Sequence, residues 1–275
     1  MTELRWDPAA AAAFYDEYGE REWTRFEDGR TGTVSFEIHR HYLTRFVRRG
    51  DHVLDVGAGP GRFTIELARL GADVTVADLS PVQLELNRER VEAAGAAVRD
   101  RVVADVCDLS RFGDDSFDAV VCYGGPLSYV LDRADEAVAE LLRVTRRGGH
   151  VLVSVMSLIG SFRVALPAVL EQRRVLGPAA LDDVLLTGVL APRFTNGHVA
   201  MRLFRSRELC ALFARHPCEV VALSASTLSD RPHHDLVASL DEDTRAALVS
   251  AEIELAAEPG AVDGGSHLIA VVRRS

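Results

Sequence analysis

The run Val53-Leu54-Asp55-Val56, passing straight into Gly57-Ala58-Gly59-Pro60-Gly61, constrains the fold more than any other feature of the chain. Three apolar residues around one aspartate, followed by alternate glycines, read as a buried strand ending in a tight turn. Phe63 to Leu70 then carries a helical pattern that stops at Gly71, where a left-handed residue closes a helix. The unit repeats. Asp73-Val74-Thr75-Val76-Ala77 reads as a strand, and Ser80-Pro81 opens the next helix as N-cap and first-turn proline. Arg101 to Ala104 and Phe117 to Cys122 give two further strands. Asp135 to Arg146 reads as a helix closed by Gly148-Gly149, and His150 to Met156 as a fifth strand. Strands alternating with helices at this spacing predict a Rossmann-like, doubly wound α/β fold with helices on both faces of a mostly parallel sheet. Ligands of such sheets bind beyond the C-terminal ends of the strands.

The rhythm breaks between residues 157 and 204, where Pro167, Gly177-Pro178, Pro192 and Asn196-Gly197 interrupt the pattern. A stretch of that length predicts a helical lid inserted after the fifth strand rather than a bare loop. Glu219 to Leu223 and His267 to Val271 read as the remaining strands. Residues 1–49 are expected to be helical and to cover the cofactor, and residues 50–275 to form the main domain.

Composition removes several classes of chemistry. The chain has no lysine, so all 31 of its basic side chains are arginine. Schiff-base catalysis, pyridoxal phosphate anchoring and the lysine of phosphate-binding loops are therefore excluded. A net charge of −10 speaks against a nucleic-acid binder. The longest apolar run is too short to span a bilayer. No basic stretch precedes an apolar one at the N-terminus, which predicts a cytoplasmic protein without membrane association. Cys107, Cys122, Cys210 and Cys218 lack metal-type spacing, and the adjacent His233-His234 point in different directions, so no metal is expected.

The chemistry lies in the strand ends. Gly57, Gly59 and Gly61 let a ligand approach bare backbone, and Asp78 at the end of the second strand can accept from both hydroxyls of a ribose. An adenosine-type ligand follows. A dinucleotide site needs G-x-G-x-x-G, and Arg62 occupies the third glycine position here.

These residues resemble the class I S-adenosylmethionine-dependent methyltransferases over residues 50–156. The resemblance implies a seven-stranded sheet whose last strand runs antiparallel beside the fifth. It implies S-adenosylmethionine as cofactor and S-adenosylhomocysteine as product. Asp55, Gly57, Ala58, Gly59 and Gly61 would form the glycine motif. Asp78 would hold the ribose with Leu79 beside the adenine, Asp105 would accept from the adenine amino group, and Val106 would present backbone to the ring. Cys122 and Tyr123 would meet the methionine part through backbone carbonyls. A tyrosine from an N-terminal helix often caps the cofactor in this family, which points to Tyr18, three residues from Tyr15. Cys122-Tyr123-Gly124-Gly125-Pro126 departs from the motif of the nucleobase and glutamine methylators.

His198, in the lid segment, is the candidate base and Tyr129 the candidate for orienting the acceptor. Phe194, Met156 and Met201 are candidates for an apolar pocket, and Arg21, Arg30 or Arg40 for pairing the methionine carboxylate. The acceptor is expected to be a small molecule, with oxygen, nitrogen and carbon all open. A homodimer is also left open. A non-catalytic S-adenosylmethionine-binding module, a nicotinamide-dependent oxidoreductase and a different reaction of the same cofactor stand as alternatives.

Overall fold

A computed structural model describes residues 4–27, 33–192, 198–229 and 233–275. Three helices come first: α1 (Pro8–Tyr18), α2 (Arg21–Glu27) and α3 (Thr33–Phe46). Asp7 caps α1 by accepting from the Ala10 N–H, with Pro8 in the first turn. The alternating unit follows as β1 (His52–Val56), α4 (Arg62–Arg69), β2 (Asp73–Asp78), α5 (Pro81–Ala93), β3 (Asp100–Val103) and β4 (Phe117–Cys122). Then come α6 (Pro126–Tyr129), α7 (Ala134–Val144) and β5 (Thr145–Met156).

The insertion after β5 holds α8 (Leu158–Val164), α9 (Leu166–Leu176), α10 (Ala179–Thr187) and a two-residue ladder of β6 (Val189–Leu190) with β7 (Met201–Arg202). The chain then closes with α11 (Ser206–Phe213), β8 (Cys218–Ala225), α12 (His234–Ala238), α13 (Glu242–Leu255) and β9 (His267–Arg274).

One seven-stranded sheet runs in the order β3-β2-β1-β4-β5-β9-β8. β1 to β5 are mutually parallel, and β9 lies antiparallel between β5 and β8. The strand order reverses at β1, which sends one crossover to each side and leaves a crevice above β1 and β4. Two apolar clusters, one on each face, bury the sheet. Leu54, Val120, Leu141 and Phe204 belong to one, and Val53, Val121, Leu43 and Ile38 to the other. Leu54 and Val53 are neighbours in β1 and point to opposite faces, as the period of two requires.

The expected helix over Asp135–Arg146 ends earlier, at Val144, and Gly148-Gly149 lie within β5. Thr145 Oγ1 donates to Leu141 O at 2.7 Å, and Thr145 already pairs with Phe117 of β4. The glycines serve the strand. A Cβ on Gly149 would stand 2.6 Å from the Asp118 carbonyl oxygen, so only glycine allows that approach.

Candidate active site

The turn after β1 is held by its backbone and by what packs behind it. Gly57 N donates to Ala77 O at 2.8 Å, which ties the turn to β2. A Cβ on Gly57 would lie 2.4 Å from Pro126 Cγ, and one on Gly61 would lie 2.8 Å from Asn87 Nδ2. Those two glycines make room for protein. Gly59, with φ of 52°, has its Cβ direction open to 3.8 Å, where Glu22 Cγ is the first neighbour. This bare backbone faces a cavity of about 1010 Å³ counted to its open mouth.

A buried polar chain supports the turn from below. Thr64 Oγ1 donates to Asp55 Oδ2 at 2.6 Å, and Asn87 Nδ2 donates to Thr64 Oγ1 at 2.9 Å and to Gly59 O at 3.3 Å. Arg101 Nε completes it on Asn87 Oδ1 at 3.1 Å. Burial pushes the Asp55 carboxyl up to about 7 against the Thr64 hydrogen bond, and the charge of Asp78 adds to the rise.

Three acceptors meet the cavity from different strands and helices. Asp78 Oδ2 accepts from Gly59 N at 2.8 Å and Oδ1 from Ser80 N at 2.9 Å. Burial raises this carboxyl, and the backbone N–H groups of Ser80 and Gly59 oppose the rise. Asp105 Oδ1 accepts from Cys107 N at 2.9 Å, and its Oδ2 from Trp6 Nε1 at 2.8 Å. The Gln83 amide is fixed by its donors, which reach Tyr15 O at 3.0 Å and Gly19 O at 3.1 Å. Its Oε1 is thereby turned 4.0 Å from the Cβ direction of Gly59, buried and without a hydrogen-bond partner among the described residues. Leaving such an acceptor unsatisfied costs about 1–3 kcal/mol, which a ligand donor would remove.

An aromatic group closes one side. The His198 ring centroid lies 4.7 Å from Phe14, 5.6 Å from Tyr129, 6.1 Å from Tyr15 and 6.4 Å from Tyr18. On the opposite face of the sheet the Tyr123 ring packs 5.1 Å from Phe63 and 4.7 Å from His39. The Tyr123 hydroxyl is buried without a hydrogen-bond partner among the described residues, and burial drives its acidity well below that of an ordinary phenol. His39 Nδ1 donates to Ser35 O at 2.8 Å, and burial lowers its pKa to about 4, so the ring is neutral.

Of the residues singled out in the sequence, Asp55, Gly57, Ala58, Gly59, Asp78, Leu79, Asp105, Val106, Tyr123 and Tyr129 line this one cavity. Gly61, Cys122, Tyr18 and His198 do not. Gly61 packs on Asn87, Cys122 is buried in the core, and Tyr18 stacks on Phe14 at 5.4 Å. His198 packs against the rings of Tyr15 and Tyr129, which do line it. Met156 and Met201 are also outside the lining, while Phe194 and Arg30 lie outside the described residues. Arg21 donates to Tyr18 O and Glu17 O, and Arg40 pairs with Glu37, so neither is directed at the cavity. Among the described residues the cation that does line it is Arg62, whose guanidinium sits 4.3 Å over the Trp23 ring. Sequence reasoning missed Arg62, Gln83 and Trp6. Gln83 stands in the first turn after the Ser80-Pro81 helix start, a signal that could have found it. Trp6 follows no spacing rule, because a tertiary contact 99 residues away brings it to Asp105. Among the described residues no group of three potential metal ligands occurs, and no helix is long and apolar enough to cross a membrane.

Residues 53–149 match the family model described as a methyltransferase domain. A demethylmenaquinone methyltransferase of Clavibacter sepedonicus is 35% identical over 161 residues, covering 56% of this chain and 61% of that protein. A ubiquinone/menaquinone biosynthesis C-methyltransferase of Pasteurella multocida is 34% identical over 129 residues, covering 44% of this chain and 47% of its own. The chain thus spans less than two thirds of the length of either relative. In fold it is similar to an S-adenosylmethionine-dependent methyltransferase structure from Mesorhizobium loti, with a TM-score of 0.59 at 20% identity, covering 88% of this chain and 99% of that one.

Proposed function

We propose that the chain, whose residues 53–149 match a methyltransferase-domain model, is a class I S-adenosylmethionine-dependent methyltransferase that transfers a methyl group from S-adenosylmethionine to a small-molecule acceptor and releases S-adenosylhomocysteine. One observation carries the reading. Asp78, Asp105 and Gln83 Oε1, which has no partner among the described residues, converge on one cavity beside the open backbone at Gly59. An adenosine bears its donors at the ribose hydroxyls and the exocyclic amine, so a cavity rich in fixed acceptors fits it.

In this reading Asp78 accepts from the ribose, with Gln83 Oε1 as a further acceptor close to the same turn, and Asp105 accepts from the adenine amine. Leu79 and Val106 flank the ring, and Gly57, Ala58 and Gly59 allow backbone approach. The bound cofactor supplies a methyl carbon activated by its sulfonium leaving group. The protein's share is to align the acceptor and keep water out, and orientation of that kind supplies about 7–11 kcal/mol in favourable cases. Tyr129 lies at the cavity wall, where it would orient the acceptor. His198 packs against the Tyr129 ring from outside the cavity lining, so its part in this reading is to position Tyr129 rather than to take a proton from the acceptor. Residues 1–49 act as the cofactor cover and residues 157–204 as the substrate lid. The names of the relatives point to quinone-type acceptors, and the net charge of −10 supports a small molecule over nucleic acid.

Calorimetric titration with S-adenosylmethionine, S-adenosylhomocysteine and NADH tests the reading. The first two should bind and the third should not. Asp78→Ala should weaken S-adenosylhomocysteine roughly ten- to hundredfold, the worth of about 1.5–3 kcal/mol for a hydrogen bond to a charged group. Near-native affinity in that variant would remove Asp78 from the site, and binding of NADH alone would replace the reading by an oxidoreductase.

A further inference from the structure

Trp6 is half-buried against the core on one face of the sheet and lines the cavity. Its position is fixed by three separate contacts. The backbone N–H donates to Asp132 Oδ1 at 2.9 Å, the indole Nε1 donates to Asp105 Oδ2 at 2.8 Å, and the next residue, Asp7, caps α1. The far end of α1 is secured too, by Gln83 on Tyr15 O and Gly19 O and by the Ser80 hydroxyl on Asp16. Apart from Asp105, residue 6 is thus anchored at its backbone by Asp132 and the capped helix and at its ring by packing on the core.

The consequence falls on the carboxylate. Cys107 N holds Oδ1 and Trp6 Nε1 holds Oδ2, so the Asp105 side chain is restrained at both oxygens. A carboxylate restrained this way keeps free lone pairs in one fixed direction, whereas one held only at Oδ1 can swing about its χ angles. We infer that Trp6 is a positioning residue for purine selection: by locking Asp105 it restricts the site to a 6-amino purine. This inference rests on the proposed role of Asp105 toward adenine. A 6-oxo purine offers an acceptor where the amine would donate, and carries its nearest donor on ring N1. A locked carboxylate cannot turn to meet that donor; a released one can.

The test compares S-adenosylhomocysteine with its inosine counterpart, S-inosylhomocysteine, by calorimetry on the full chain. Trp6→Phe keeps an aromatic ring in place and removes the N–H. It should narrow the preference for the 6-amino ligand at least about threefold relative to the unaltered protein. In an Asp105→Asn background the same substitution should change the preference less than about twofold, since a residue acting through Asp105 has little left to act on. Trp6 emission, read in a Trp23→Phe protein that keeps Trp6 as its one tryptophan, should change on addition of S-adenosylhomocysteine and less with the inosine ligand. This second readout does not depend on Trp6→Phe folding. Equal weakening of both ligands by Trp6→Phe, or unaltered Trp6 emission, overturns the inference and leaves the indole a packing group while the proposed function stands. Failure of both ligands to bind the unaltered protein overturns the two together.

Discussion

Asp55 shows how a single buried carboxylate sets a property of the whole protein. It is 2% exposed, bonded to the Thr64 hydroxyl, and raised by burial from 3.8 to about 7. Below about 3.8 both folded and unfolded chains hold the proton, and the group costs nothing. Between there and about 7 the unfolded chain ionises while the folded one stays protonated, so stability falls as pH rises, by at most about 1.4 kcal/mol per unit. Above about 7 the loss is complete. Asp55→Asn keeps an acceptor for Thr64 and removes the ionisation. Urea unfolding at pH 5 and pH 8 should therefore show the unaltered protein losing more stability between the two than the variant does. An equal loss in both would mean that Asp55 is ionised in the folded state throughout. Asp55, Gly59, Asp78 and Asp105 were legible in the sequence because each ends or follows a strand, where the fold class already puts ligands. Trp6 and Arg62 were not, since their reach to the cavity depends on helices packed from outside the sheet.

At the scale of the element, the insertion is docked by α8 at a point of close backbone approach. A Cβ on Gly160 would lie 1.6 Å from the Gly265 carbonyl oxygen. Ser157 Oγ accepts from Gly160 N at 3.1 Å and donates to Asp263 O at 3.1 Å, while Leu158 N donates to Phe204 O at 2.9 Å. Asp263 is also held by Ser206, whose N–H and hydroxyl donate to its two carboxylate oxygens at 2.7 and 2.6 Å. Both ends of the insertion thus converge on the turn before β9. Gly160→Ala must push α8 off that turn, and overpacking of this kind costs about 1–3 kcal/mol. Thermal unfolding should show a midpoint lowered by roughly 2–12 °C, at about 2–4 °C per kcal/mol for a chain of this size. Affinity for S-adenosylhomocysteine should stay within about twofold, because Gly160 lies outside the cavity lining. An unchanged midpoint would show that the contact relaxes freely.

Across the whole molecule, stability is uneven. The strands β1, β2, β4 and β9 are buried over most of their length, whereas α9 and α10 bury none of their residues, and Val175 and Leu186 are 63% and 83% exposed. Segments with few buried contacts open locally at low free energy. With no lysine in the chain, trypsin reads arginine alone. It should cut after Arg173 or Arg174 before any arginine between Arg62 and Arg147, as timed digestion with mass spectrometry would report. Earlier cutting within that span would place the weak point in the sheet-bearing part instead.

The sequence by itself determined the alternating strands, the glycine turn and the acids at the strand ends. These follow from local rules: β-branched runs bury as parallel strands, glycines alone take the positive φ of the turn, and strand ends point toward the crevice. Helix α7 marks the limit of those rules, because pairing of Thr145 with Phe117 overrode the glycine stop signal and gave the residues to β5. Only the tertiary structure decided which side chains meet. It turned Gln83 by two carbonyls of the N-terminal helix region, brought Trp6 across to Asp105, gathered His198 among four aromatic rings, and left Arg62 rather than Arg21 or Arg40 at the cavity wall. Each of those contacts joins residues far apart in the chain, and no local periodicity carries the distance between them.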